Sequence, residues 1–222
     1  MKEMEDLRRE LTLMAGSVHE NLEKSLTILR TRNDDLASDV KNTGKRIDEM
    51  QVRIEDMVMV LIATQQPVAG MLRELVTVFK LATNLERIDD YAIHLTKAAV
   101  KLSDRPPLLS TERIERMAET GQEMLKTAFS AYLARDNNAA RNAAALDDKI
   151  DKEHTALTDE VLALIKEKPD LVKAAARLLR LSGHMERLGD HITNICEGII
   201  YMTDGSREEL NPVRMGKLEN GN

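Results

Sequence analysis

At 222 residues the chain has room for one large domain or two small ones, at about 150 residues each. Its 32 Lys and Arg against 38 Asp and Glu leave a net charge of −6, which withholds the broad positive field that non-specific nucleic-acid binding needs. Only 2% of the residues are aromatic and none is Trp, which excludes base-stacking platforms.

The single Cys196 cannot form an internal disulfide, no Cys-x-x-Cys occurs, and the thiol reads as a small buried hydrophobe in a reducing compartment. The opening residues, MKEMEDLRRE, lack the apolar core of a signal peptide. The longest wholly apolar run, 57–63, falls far short of the roughly 20 residues that span a bilayer. These features predict a soluble cytoplasmic protein with no transmembrane segment and no nucleic-acid partner.

The first segment carries Leu7, Leu11, Met14, Val18, Leu22, Leu26 and Leu29 at intervals of three and four, one apolar face of a helix. Reading on in the same way, the spacing predicts helices over 8–32, 36–66, 68–103, 109–135, 138–167 and 169–203. Pro67 and Pro169 interrupt long periodic stretches, and Pro106-Pro107 divides the chain almost in half. Asn33-Asp34-Asp35 and Asp136-Asn137-Asn138 suit tight interhelical turns with capping side chains. From Gly205 onward the composition predicts a frayed, linker-like tail.

The halves repeat. In the first two helices of each, positions correspond at a separation of 103: Leu11 with Ile114, Met14 with Met117, Leu22 with Leu125, Asp48 with Asp151, Leu61 with Leu164. In the third, the separation falls to 100: Leu81 with Leu181, Glu86 with Glu186, Arg87 with Arg187, Asp90 with Asp190. Apolar periodicity alone would not also align these charges. The expected fold is all-α, two pseudo-symmetric three-helix bundles: 1–104, then 105–206, then a flexible tail over 207–222.

Glu86 and Asp90, like Glu186 and Asp190, lie four apart on one helix face, where like charges oppose each other unless something positive offsets them. Asp147 and Asp151 form a third such pair, on the helix antiparallel to the one carrying Glu186 and Asp190. The level at which the two helices meet is not fixed by the sequence. If the faces meet, four carboxylates converge, and an oxygen-only set suits Mg²⁺, Mn²⁺, Ca²⁺ or iron over Zn²⁺. In the first half Asp48 matches Asp151, but Gly44 stands in the place of Asp147, so that set is one ligand short. The alternative is that the acidic faces pair with Arg87 and Arg187 as ordinary ion pairs. No Glu-x-x-His, Gly-rich phosphate loop, GxSxG or HExxH occurs, and His94, His184 and His191 have no ligand spacing. With no nucleophile and no acid/base set, the chain reads as a non-enzyme.

Gln66-Pro67-Val68-Ala69 with Leu72-Arg73, the run 85–90 (Leu-Glu-Arg-Ile-Asp-Asp), the run 147–151 (Asp-Asp-Lys-Ile-Asp), the run 185–191 (Met-Glu-Arg-Leu-Gly-Asp-His) and the run 194–197 (Asn-Ile-Cys-Glu) resemble the PhoU family of bacterial phosphate-uptake regulators over nearly the whole chain. The resemblance implies the two-bundle fold and metal clusters held by the acidic motifs: Asp147, Asp151, Glu186 and Asp190 in the second half, Asp48, Glu86 and Asp90 in the first. The cofactor it implies is a divalent metal or iron (Mg, Mn, Fe or Zn). It further implies negative regulation by contact with the phosphate ABC transporter's ATPase subunit and a phosphate-sensing histidine kinase, through a homodimer recruited to the inner face of the membrane. The alternatives are an accessory protein of another phosphate carrier, a structural helical dimer, or a carboxylate-bridged metalloenzyme. Gly44, Met71, Asp89 and His94 stand where the family usually has an acidic residue, Asp, Gly and Asn. The second-half site is therefore expected to bind its metal more tightly than the first.

Overall fold

The computed structural model describes residues 2–33, 35–103 and 110–211. Among them are seven α-helices, α1 (Lys2–Thr31), α2 (Ala37–Gln65), α3 (Ala69–Ser103), α4 (Glu112–Ala134), α5 (Asn137–Ala145), α6 (Asp147–Glu167) and α7 (Val172–Asp204), and no strand. The apolar stripe of α1 is buried from Leu7 to Leu29 against α2 and α3, and α4, α5, α6 and α7 repeat that bundle. The halves join where α3 crosses α7 and α1 meets α4, and one apolar cluster runs through both. The repeat extends to burial itself: the pattern of buried, half-buried and exposed residues over 81–90 recurs position for position over 181–190.

Helix ends follow local chemistry. The side chain of Asp136 accepts from the N–H groups of Asn138 and Ala139, capping α5, and Asn33 Oδ1 accepts from the Asp35 N–H in the first-half turn. Arg32 and Arg135, equivalent in the repeat, both sit in the left-handed region at φ 55° and 54°, just past α1 and α4. Past α7 that conformation falls to Gly205, φ 82°, where it carries no Cβ penalty.

Three expectations need correction. The helix expected over 138–167 is broken at Leu146, whose N–H reaches only three residues back to Ala143, before α6 starts at Asp147. The start of the helix expected over 169–203 is a 3-10 turn, Pro169–Leu171, and α7 begins at Val172. The tail is not frayed over 205–211. Leu210 packs on the core, Arg141 holds Glu208 through two hydrogen bonds, and Asn211 bonds to Asp147. The break expected at Pro106-Pro107 and the rest of the tail, 212–222, lie outside the described residues.

Glu74, near the start of α3 and only 5% exposed, clamps the two halves. Its carboxylate accepts from Arg8 of α1 at 2.6 Å and from Arg135, past the end of α4, at 2.5 Å. Burial alone would raise its pKa, but the two guanidinium groups overcome that and hold it below the usual carboxylate range. Replacing it by Gln keeps the shape and removes the charge. Because both arginines reach solvent, they are not stranded in the core, and the expected cost is about 1–3 kcal/mol, below that of breaking a fully buried pair. Urea denaturation of Glu74→Gln against wild type measures it, with the midpoint falling and the slope unchanged.

Candidate functional site: two acidic helix seams

The acidic residues line the seam between α2 and α3 in the first half and between α6 and α7 in the second. Asp48 faces α3 from α2 and is exposed, while Glu86 and Asp90 are half-buried on α3. In the second half Asp151 on α6, and Glu186 and Asp190 on α7, are half-buried, and Asp147 is fully buried at the first turn of α6. Among the described residues no three His, Cys, Asp or Glu side chains close around one point as a metal cage. The carboxylates line the seams without gathering at a single centre.

Asp147 is buried because the helix opposite has no side chain there. A Cβ built on Gly189 would collide with the Asp147 carboxylate. The first half has the same arrangement with the two residues exchanged. Gly44 stands at the position of Asp147 and Asp89 at the position of Gly189, and a Cβ on Gly44 would lie 3.0 Å from Asp89 Oδ2 and 2.6 Å from Ile93 Cδ1. Asp89 is 1% exposed. Each seam therefore buries one carboxylate against one glycine, from α3 in the first half and from α6 in the second. Sequence reasoning treats Gly44 as a lost ligand and Asp89 as an isolated departure. The signal that joins them is that each holds its counterpart's residue in the other half.

The two carboxylates are also satisfied differently. Asn21 of α1 donates from its one amide nitrogen to Asp89 Oδ1 at 2.7 Å and to the Val40 carbonyl at 3.1 Å. Behind it Ser25 donates to the Asn21 carbonyl and Thr96 donates to Ser25, giving a buried polar chain. The second half has Met124, Ala128 and Cys196 at the positions of Asn21, Ser25 and Thr96, all buried and without an amide or hydroxyl. There the amide comes from beyond α7: Asn211 donates to Asp147 Oδ2 at 2.6 Å.

Electrostatically, the first seam lacks positive charge. Burial pushes the Asp89 carboxyl up to about 7, against the Asn21 hydrogen bond, with Asp48, Asp90 and Glu86 adding repulsion. Asp48 is raised by burial, Asp90 and Glu49, and Glu86 by burial and Asp90 against the pull of Arg87. Arg87 does meet Glu86 and Asp90, as the ion-pair alternative expects. Its contacts are loose, at 3.4 and 3.5 Å, and more than half solvent-exposed on the arginine side, so they offset little of the repulsion.

The histidines gather elsewhere, where α3 crosses α7. His94 and His184 stack with centroids 4.6 Å apart, Tyr91 lies 5.7 Å from His184 and 5.8 Å from His191, and His191 Nδ1 pairs with Asn84 Oδ1 at 2.8 Å. Burial lowers the pKa of all three imidazoles, and the His94–His184 contact disfavours charge on His184 further. They form an uncharged plug between the halves.

Fold and seams together define a duplicated three-helix-bundle protein with one buried carboxylate and an acidic rim in each copy. The PhoU domain model matches this chain twice, over residues 11–99 and 114–199. Among relatives, a phosphate-specific transport system accessory protein PhoU homolog of Clostridium acetobutylicum is 30% identical over 210 residues, covering 94% of this chain and 96% of its own. The crystal structure of PhoU from Pseudomonas aeruginosa superposes with a TM-score of 0.88 at 26% identity, covering 92% of this chain and 99% of that one. That of the phosphate transport system regulatory protein PhoU from Streptococcus pneumoniae gives 0.85 at 26% identity, over 93% and 98%. The chain belongs to the PhoU family.

Two outcomes follow from the exchanged seam. With Asp89 at about 7 when folded and in the ordinary range when unfolded, the folded state holds the extra proton between those values. The corresponding stability is full below about pH 4 and lost as the pH rises through 7. In metal-stripped protein, Asp89→Asn removes this dependence and is more stable than wild type at pH 8 by up to about 4 kcal/mol, at roughly 1.4 kcal/mol per pH unit. Denaturant titrations at several pH values check it. Secondly, Gly44→Asp alone sets two buried carboxylates face to face, whereas Gly44→Asp with Asp89→Gly restores one carboxylate against one glycine, with Ile93 left to shift. The double variant is expected to exceed the single one in stability by about 2 kcal/mol or more, read from a double-mutant cycle.

Proposed function

We propose that this chain is an accessory protein of the phosphate-specific transport system that restrains phosphate uptake and the phosphate-starvation response when phosphate is plentiful. It acts by contact, as a homodimer, with the ATPase subunit of the phosphate ABC transporter and with a phosphate-sensing histidine kinase, and it carries out no catalysis. The observation that carries this reading is the match of both halves to one family, with near-complete mutual coverage of a relative named as an accessory protein of that system. Among the described residues no helix is long and apolar enough to cross a membrane, which accords with a role exerted through partners at the inner face. Clean deletion of the gene is expected to leave phosphate-uptake genes expressed in phosphate-rich medium, measured by transcript level. Unchanged repression in the deletion strain overturns the reading.

The same proposal includes metal binding at the seams. The donor set fits a hard cation: oxygen ligands only, with the Asp48 and Glu86 carboxyls raised by burial and by their acidic neighbours. Asp147, Asp151, Glu186 and Asp190 would hold the ion in the second half, and Asp48, Glu86 and Asp90 in the first. A bound Mg²⁺, Mn²⁺, Fe or Zn²⁺ would supply charge neutralisation and fix the spacing of the helices it bridges. With the buried Asp147 counted, the second ligand set has four carboxylates against three in the first, so the second is expected to bind more tightly. Calorimetric titration of chelator-treated protein tests this: Asp151→Ala with Asp190→Ala should abolish the tightest binding event, and its survival would assign that event elsewhere.

A further inference from the structure

We propose that the groove between the start of α2 and the end of α3 is a docking site for an extended acidic segment of a partner protein, which seats one leucine-sized side chain in the groove and sets carboxylates against Lys41, Lys97 and Lys101. The groove encloses about 250 Å³. Its floor is apolar, formed by Val40, Ile93 and Val100, with Thr96 held from behind by its bond to Ser25. The three lysines at its mouth are exposed, and among the described residues none of them pairs with a carboxylate.

The second half shows what such a groove accepts. At the positions of Val40, Lys41, Thr96, Lys97, Val100 and Lys101 it has Ala143, Ala144, Cys196, Glu197, Ile200 and Tyr201. Over that surface runs the chain's own segment 205–211. Its Leu210 packs on the core and donates its N–H to Glu197 Oε1 at 3.0 Å, Glu208 is held by Arg141, and Arg207 lies 5.4 Å over the Tyr201 ring. At the equivalent place in the second half, the fold is thus covered by its own short run Glu208-Glu209-Leu210.

In the first half the residue that receives the segment's N–H has changed from Glu to Lys, and Lys41 and Lys101 replace an alanine and a tyrosine. Three like charges around one apolar mouth, on a chain of net charge −6, repel one another and attract anionic groups. An occupant matching both features carries an apolar side chain between carboxylates. The segment 205–211 is already bound in its own half, so a partner protein is the source that fits.

The probe is a fluorescein-labelled, acetylated peptide of two glutamates, a leucine and two glutamates, titrated with the full chain at low ionic strength and followed by anisotropy. Saturable binding is expected. It should weaken by about tenfold or more in the variant Lys41→Glu with Lys97→Glu and Lys101→Glu, whose exposed positions leave the fold intact. It should weaken comparably when the peptide's leucine is alanine, and when Ala37→Trp fills the groove. Absence of saturable binding overturns the proposal, as does equal binding by the charge-reversed variant. A change in sedimentation of the charge-reversed variant, showing that it loses self-association, would assign the groove to a second copy of the chain. Binding only after Leu108→Ser with Leu109→Ser would assign it to the connection between the halves. Either result defeats the partner reading.

Discussion

At each acidic seam a carboxylate is buried between two packed helices where the facing helix gives up its Cβ. This protein meets that constraint twice, and much of its architecture is arranged around it. A glycine inside a helix costs about 1 kcal/mol relative to alanine, yet Gly44 and Gly189 sit inside long helices because Asp89 and Asp147 occupy the space their side chains would take. What each seam must contain is one aspartate and one glycine; which helix carries which is free. The halves have taken opposite choices while leaving the bundles superposable in burial pattern.

The choice has consequences further out. With the buried carboxylate on α3, the first half recruits Asn21, Ser25 and Thr96 into a polar chain through its interior, and burial raises the Asp89 carboxyl to about 7. With it on α6, the second half has an apolar interior at the same places, and an amide from outside the bundle covers the seam. The break at Leu146 belongs to the same solution, since it starts a helix at Asp147 and sets a negative group at its positive end. Between the halves, the Glu74 clamp ties α3 to the end of α4 and the imidazole stack packs α3 on α7, neither adding charge to the acidic seams.

The fold was legible because its signals are long and redundant. Stripes such as Leu7 to Leu29 persist over many turns, and their recurrence with aligned charges set the number of bundles and the pairing of the halves. What was not legible depended on tertiary neighbours. Nothing in the alanine-rich run 139–145 announces a break at Leu146, for no Pro or Gly marks it. The segment 205–211 has the composition of a linker and is held by one leucine, one ion pair and one amide, which local sequence cannot reveal. The six rim carboxylates and Asp147 were all readable as acidic faces, but Asp89 was not, because its role depends on knowing that Gly44 lies directly across from it. The clustering of His94, His184 and Tyr91 was hidden for the same reason: only the crossing of α3 and α7 brings them together.

The origin of the two amides also bears on how the chain folds as it leaves the ribosome. The first repeat carries Asn21 in its opening helix, so its seam can close as soon as α3 has emerged. The second repeat takes an amide for Asp147 from residue 211, seven residues beyond its last helix. During vectorial synthesis the first bundle therefore has its seam amide in place before α4 and α7 assemble on it, whereas a second repeat ending at Asp204 would lack the Asn211 amide. Duplication produced two copies of one bundle, but only the first carries its seam amide within its own helices.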